Sequence, residues 1–117
     1  MRVERVVPIL TVSDLPAATR EHSAALGLRV LMDHGWIVTL GDGDGHQLSL
    51  MTQDATAPVN PDISVFVNDV REALARVEQA DLEVVYPLTE EPWGVTRILY
   101  RASDGRVVNV GMHTMAD

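Results

Sequence analysis

The sequence has no cysteine, which excludes a disulfide framework, a thiolate zinc site and a cysteine nucleophile. It is short of cations: nine Lys and Arg stand against seventeen Asp and Glu, a formal net charge of −8. That balance argues against nucleic acid and anionic membrane surfaces, because both demand a basic footprint. No apolar run approaches the roughly 18 residues of a membrane helix, and Met1-Arg2-Val3-Glu4-Arg5 lacks the apolar region of a secretion signal. Aromatic residues are few: two Trp, two Tyr and one Phe. What is present is ordinary, 46% hydrophobic and 22% charged residues over 117 positions, which is globular usage. A chain of this length buries roughly two-thirds of its unfolded surface, enough for a core without staples. The expectation is one soluble, cytoplasmic domain.

Val3–Val12 is apolar and β-branched, and Ser13-Asp14 bounds it with turn chemistry, which predicts a strand. Asp14–Leu26 predicts a helix: Leu15, Ala18, His22, Ala25 and Leu26 fall on one stripe, Ser13 or Asp14 can cap it, and Gly27 suits its C-terminal end. Leu28–Met32, Trp36–Leu40 and Gln47–Met51 are predicted strands, separated by Asp33-His34-Gly35 and the turn-rich Gly41-Asp42-Gly43-Asp44-Gly45. Residues 54–61, with two prolines among small residues, predict a connector between a first module of about 1–53 and a second of about 62–117. The order then repeats. Asp62–Val67 is a strand and Asp69–Ala80 a helix, with Asp69 and Glu72 in capping-box spacing. Glu83–Tyr86, Val95–Arg101 and Arg106–Met112 complete the set.

The repeat has residue-level support. Val12-Ser13-Asp14-Leu15 matches Val67-Asn68-Asp69-Val70 at an offset of 55, and Asp44-Gly45 matches Asp104-Gly105 at an offset of 60. Period-2 alternation assigns faces. Leu10, Val12, Leu48, Leu50, Ile63, Val65, Val67, Val108 and Val110 are expected beneath the two helices. The opposite faces carry Val7, Ile9, Thr11, Gln47, Ser49, Met51, Asp62, Ser64, Phe66, Val107 and Asn109. A sheet face of such mixed polarity lines a cleft or sits in an interface.

The strand–helix–three-strand module resembles the vicinal oxygen chelate superfamily, which includes glyoxalase I, extradiol dioxygenases and bleomycin-resistance proteins. The resemblance rests on Thr11-Val12-Ser13-Asp14-Leu15, on Leu26-Gly27-Leu28, and on Glu91-Pro92-Trp93-Gly94 through Arg101 to Asp104-Gly105-Arg106-Val107-Val108-Asn109-Val110. It covers almost the whole chain, and the Pro-Trp-Gly segment with the later Asp-Gly is similar to the small bleomycin-resistance branch. The chain departs from the family pattern at Glu21-His22, where an aromatic pair is usual, and at Ala102-Ser103, where Asp-Pro is usual. The fold implied is α+β, two βαβββ modules forming curved mixed sheets with a cleft on the concave face. Homodimers are common among the relatives and are expected here. The family's metal takes one inward side chain from the first and last strand of each module. The resemblance places these on Val7, Ser49, Asp62 and Asn109, of which only Asp62 is a good ligand. The implied protein has neither metal nor other cofactor.

Each remaining candidate has a plainer reading. His22 suits a packed helix face, and His34, His46 and His113 share no spacing that presets a ligand pair. Asp42-Gly43-Asp44-Gly45 lacks the twelve-residue calcium pattern and fits a tight turn. Neither a Gly-x-Ser-x-Gly elbow nor a phosphate loop occurs. Trp36 and Trp93 either stack on a planar ligand or close the ends of a core. Arg97 and Arg101 pair with a ligand anion or, more commonly, across strands. The expected ligand contacts are Trp36, Gln47, Ser49, Asp62, Phe66, Trp93 and Asn109. The leading expectation is a metal-free protein that sequesters an antibiotic or metabolite, and a charge of −8 would steer a cationic ligand. The alternative is a metal-dependent lyase, isomerase or dioxygenase, or a metal-free enzyme with Asp62 as general base in a partly apolar cleft. A third is a regulatory module whose mixed face meets a protein.

Overall fold

A computed structural model describes residues 1–114; the end expected for the second module, at 117, lies outside them. The element order is β1 (Val3–Thr11), α1 (Leu15–Leu26), β2 (Arg29–Asp33), β3 (Ile37–Gly41), β4 (Gln47–Met51), β5 (Ile63–Val67), α2 (Val70–Gln79), β6 (Glu83–Glu91), β7 (Val95–Arg101) and β8 (Val107–His113). This is an α+β chain in which strand–helix–three strands occurs twice. The chain divides into one unit of Val7–Asn60 and another of Met1–Val6 with the chain from Pro61 onward, the division falling inside β1.

In the Val7–Asn60 unit the strands lie in the order β2-β3-β4-β1. β1 runs parallel to β4, with Ile9 opposite Ser49, while β3 is antiparallel to both β2 and β4. In the other unit the order is β5-β8-β7-β6, with β5 parallel to β8 and the rest antiparallel. Parallel first and last strands follow from the helix between them, because parallel neighbours need a crossover. β6 runs on to Glu91, five residues beyond the expected end at Tyr86, and its pairing with β7 continues through Glu91 opposite Val95.

Local chemistry sets the helix ends. Asp14, in extended conformation, accepts the Ala17 amide at 3.0 Å, and Gly27 closes α1 with φ 67°. Asp69 accepts the Glu72 amide at 3.1 Å. The reciprocal half of the expected capping box is not made. Glu72 Oε2 instead accepts from Arg76 Nε at 2.9 Å and Oε1 from the Met1 amino group at 3.2 Å, since charged donors outcompete a backbone amide.

Two cores result. Leu15, Ala18, Val38, Leu40 and Leu50 pack together in one unit, with Val12, Leu28 and Leu48 against them. Val67, Val70, Ala73, Val77, Ile98 and Val110 pack in the other, with Val65, Tyr100 and Val108 alongside. The strand faces therefore follow the expected alternation, with Ser49 and Asn109 outside both helix-packed clusters. Burial is less complete than expected: Leu10 is 40% exposed, and Val12, Leu48, Ile63, Val65 and Val108 are half-buried. The reason for Leu10 is that α1 packs against β3 and β4, so the outward residues Val6, Pro8 and Leu10 of β1 stay open. The C-terminal end of the α1 stripe, Ala25 and Leu26, is exposed as well.

Leu50→Ala, at a fully buried position, is expected to cost about 2–5 kcal/mol in urea unfolding. Leu10→Ser, its register partner on β1, is expected to cost less than about 1 kcal/mol. Comparable losses would overturn this assignment of what α1 covers.

Candidate functional site

The candidate site is built on the face of β5-β8-β7-β6 that α2 does not cover. Register puts Ser64, Asn109 and Leu99 in one row, and Phe66, Gly111 and Arg97 in the next. Arg97 is 3% exposed, so its charge must be met locally. Glu91 meets it: Arg97 Nε donates to Glu91 Oε2 at 2.7 Å, and Tyr86 Oη donates to the same oxygen at 3.2 Å. On its other side Arg97 Nη1 reaches Asn109 Oδ1 at 3.5 Å, and Asn109 Nδ2 donates to Ser64 Oγ at 2.9 Å. The rings of Tyr86 and Trp93 flank the guanidinium, with centroids 5.2 and 5.4 Å from its central carbon.

The Pro-Trp-Gly segment explains how Glu91 and Arg97 come together. The Gly94 amide donates to the Glu91 carbonyl at 3.2 Å and Gly94 has φ 85°, a conformation glycine adopts freely. This turn folds β6 back on β7 and leaves Trp93 half-buried beside Arg97. Gly111 makes room. A Cβ there would stand 3.2 Å from Val95 Cγ1 and 3.4 Å from Phe66 Cε1.

Beyond Gly111, on the segment of β1 that belongs to this unit, Arg5 lies over Phe66, its guanidinium carbon 4.1 Å from the ring centroid. Phe66 and His113 stack with centroids 4.8 Å apart and planes 8° apart. Arg5 Nη2 and His113 Nε2 are 2.9 Å apart. A guanidinium only donates, so Nε2 accepts and the imidazole is neutral. Partial burial, then the Arg5 charge, holds the His113 pKa below its ordinary value, against a weaker opposing pull from Glu4. Burial also lowers the Arg5 pKa, and Arg5 Nε is buried without a hydrogen-bond partner among the described residues.

Of the residues named from sequence, this unit brings Asn109 and Trp93 together through Arg97, with Phe66 one row away. Asp62 stands apart, exposed just before β5, its carboxylate accepting the Val107 amide at 2.9 Å. Its exposure among the described residues does not supply the apolar surroundings invoked for a general base. Arg97 and Arg101 take the plainer role, Arg101 pairing with Glu83 at 3.5 Å across β6 and β7. In the Val7–Asn60 unit, Ser49 is buried and shares a 2.8 Å hydrogen bond with Thr39, and Val7 is 2% exposed. Trp36 and Gln47 are not brought together. Trp36 precedes β3, next to the Ile37–Met51 pair, whereas Gln47 pairs with Gly41 at the far end of the same ladder. Asp42-Gly43-Asp44-Gly45 is a turn, in which Asp42 accepts the Asp44 amide and the His46 imidazole and stays below the usual carboxylate range. Sequence reasoning missed Glu91, Tyr86 and Arg5 as site residues. The only available signal was that Arg5 shares the parity of Val7 and Ile9 on β1.

The glyoxalase/bleomycin resistance protein/dioxygenase superfamily model matches residues 2–110, and the chain belongs to that family. Comparison with curated proteins finds no match. Among solved structures, a superfamily member from Vibrio splendidus 12B01 is 21% identical with a TM-score of 0.70, covering 92% of this chain and 97% of its own. A structure described as NAD-dependent benzaldehyde dehydrogenase from Legionella pneumophila is 14% identical with a TM-score of 0.78, covering 93% and 99%. The methylmalonyl-CoA epimerase of Streptomyces coelicolor is 17% identical with a TM-score of 0.66, covering 97% and 98%. These likenesses concern the fold. No helix among the described residues is long and apolar enough to cross a membrane.

Arg97→Met and Glu91→Gln should each cost about 3–5 kcal/mol, because each strands a buried charge or its dipolar partner. The Arg97→Met, Glu91→Gln double variant should cost clearly less than the sum, which urea unfolding of the four proteins will show. Additive losses would mean the two side chains do not act as a pair. His113 predicts a pH dependence. Its folded pKa lies below the unfolded value of about 6.5, so the unfolded chain binds the extra proton first and stability falls as pH drops below about 6.5. His113→Gln should flatten that part of the wild-type profile; an unchanged acid limb would contradict the assignment.

Proposed function

We propose that this member of the family binds small organic molecules without a metal ion, sequestering an antibiotic or metabolite. The observation that carries the reading is the state of the donors where the family holds its ion. Val7 has no donor atom and the Ser49 hydroxyl is engaged with Thr39. In the other unit the Asp62 carboxylate accepts a backbone amide, and the Asn109 amide is held between Ser64 and Arg97. A divalent transition ion favours imidazole and carboxylate, and Asp62 is the one anionic group among the four. No three His, Cys, Asp or Glu side chains converge among the described residues. These residues do not fit the ion.

The polar floor of Arg97, Asn109 and Ser64 beside Tyr86 and Trp93 offers a small molecule what such sites use, aromatic area with a few fixed hydrogen-bonding groups. Phe66, Trp93 and Asn109 are the contacts assigned in this unit, and Trp36, Gln47 and Ser49 those in the other. The reading includes pairing of two copies in the cytoplasm. Leu10, Leu26, Val30 and Leu31, exposed in the Val7–Asn60 unit, support such an interface.

The test combines elemental analysis with a thermal-shift screen. A true ligand at 100 times its Kd should add about 2.7 kcal/mol of stability. The gain should vanish in Trp93→Ala, and the wild type should carry no stoichiometric zinc. Stoichiometric zinc in the wild type, lost when the four histidines are replaced, would overturn the reading. A metal-dependent lyase, isomerase or dioxygenase would then be favoured.

A further inference from the structure

Arg97 and Arg101 are neutralised where they stand, by Glu91 and Glu83. Arg5 is not. One terminal nitrogen bonds a neutral imidazole, its Nε is buried without a partner, and no carboxylate among the described residues lies within 4.0 Å of it. Arg20, Arg29, Arg71 and Arg106 stand exposed on the surface, where water screens them. Arg5 is half-buried. A cation drawn out of water without a counter-ion raises the free energy of the protein, and an arriving anion lowers it again.

We propose that Arg5 is an anion subsite, and that the small molecule bound on this face presents an oxyanion, a carboxylate or a phosphate, to its terminal nitrogens. The proposal rests on the small-molecule reading and adds the charge of the ligand. Phe66 fixes the plane of the guanidinium from beneath, and His113 takes one of its N–H groups. The N–H groups that remain are held in a fixed direction, the preorganised fork that recognises carboxylate and phosphate. Nε is covered and takes no part. The overall charge of −8 slows the approach of an anion. Charges beyond about 8–10 Å are screened at physiological salt, so at contact the local guanidinium decides.

His113 is the reporter. Its ring resonances, assigned with His113→Gln, are followed through pH titrations with benzoate, inorganic phosphate, benzamide, benzylamine, or sodium chloride at matched ionic strength. Because the Arg5 charge depresses the His113 pKa, a bound anion should raise its midpoint, saturably, with benzoate or phosphate and beyond the effect of chloride. Which of the two binds tells the carboxylate source from the phosphate source. Arg5→Gln should weaken that binding on the order of tenfold or more, and Arg5→Lys should restore part of it. Circular dichroism establishes that both variants fold. No saturable response to either anion at tens of millimolar, or equal affinity in Arg5→Gln, overturns the proposal. Neutral or cationic ligands that bind through Trp93 and ignore Arg5→Gln would sink the anion subsite while leaving the small-molecule reading intact. A screen with no binder of any charge would sink both.

Discussion

A guanidinium buried on a central strand must find its counter-charge within hydrogen-bond reach, and the polar face of the second unit is organised around that requirement at Arg97. Glu91 supplies the charge, and it can do so because β6 continues to that residue before turning at Pro92-Trp93-Gly94. Tyr86 and Asn109 supply further polar partners, and Gly111, in the same row as Arg97, withholds a side chain that would crowd Phe66 and Val95. The corresponding row of the other unit, sixty residues earlier, shows the contrast. Ile37 stands where Arg97 does, and Met51, 1% exposed, stands where Gly111 does. One row is filled with apolar volume, the other with a charge and the apparatus that neutralises it. Apolar residues of similar volume would often be as stable as a buried ion pair. A polar row retained on a sheet face is therefore better explained by specificity than by stability.

Much of the fold was legible because it is written in local, periodic signals. Aspartate caps at Asp14 and Asp69, glycine after α1 and period-2 strands each act within a few residues. What was not legible depends on neighbours distant in sequence. Alternation gives the face on which Leu10 lies but not whether a helix reaches it, and α1 covers β3 and β4 instead. The capping-box spacing at Glu72 is correct, yet Arg76 competes for the same carboxylate and takes it. Site residues suffer most. Arg5 and His113 are 108 positions apart, and no pattern in the chain announces that they meet over Phe66.

Membership of the superfamily constrains the scaffold more than the chemistry. The family model spans residues 2–110, whereas the solved relatives described above share only 14–21% identity with the chain. At that distance the backbone persists while side chains at functional positions are free to change, and function has to be argued from the site. The four positions that the resemblance assigns to metal ligands hold a valine, a serine bonded to a threonine, an aspartate bonded to a backbone amide and an asparagine inside a polar network. Each is satisfied by protein atoms or has nothing to offer an ion. Asn109, Ser64 and Arg97 instead form a connected network with two rings beside it, which is what the binding proposal rests on.

Arg97 and Arg5 make the final distinction, because they share a sheet face and differ in how their charge is met. Arg97 is complete within the protein: its carboxylate partner, its amide neighbour and its flanking rings are all in place. Truncating it would mainly expose the cost of breaking a finished network. Arg5 has an aromatic ring beneath and an imidazole at its tip, but no carboxylate among the described residues within 4.0 Å. The Phe66 ring and the His113 bond offset part of the desolvation penalty of this half-buried cation, but neither supplies a counter-charge. Local arrangements that raise the free energy of the free protein persist where binding relieves them. Arg97 is thus a closed part of the framework of this face, whereas Arg5 keeps N–H groups that no carboxylate of the described residues engages.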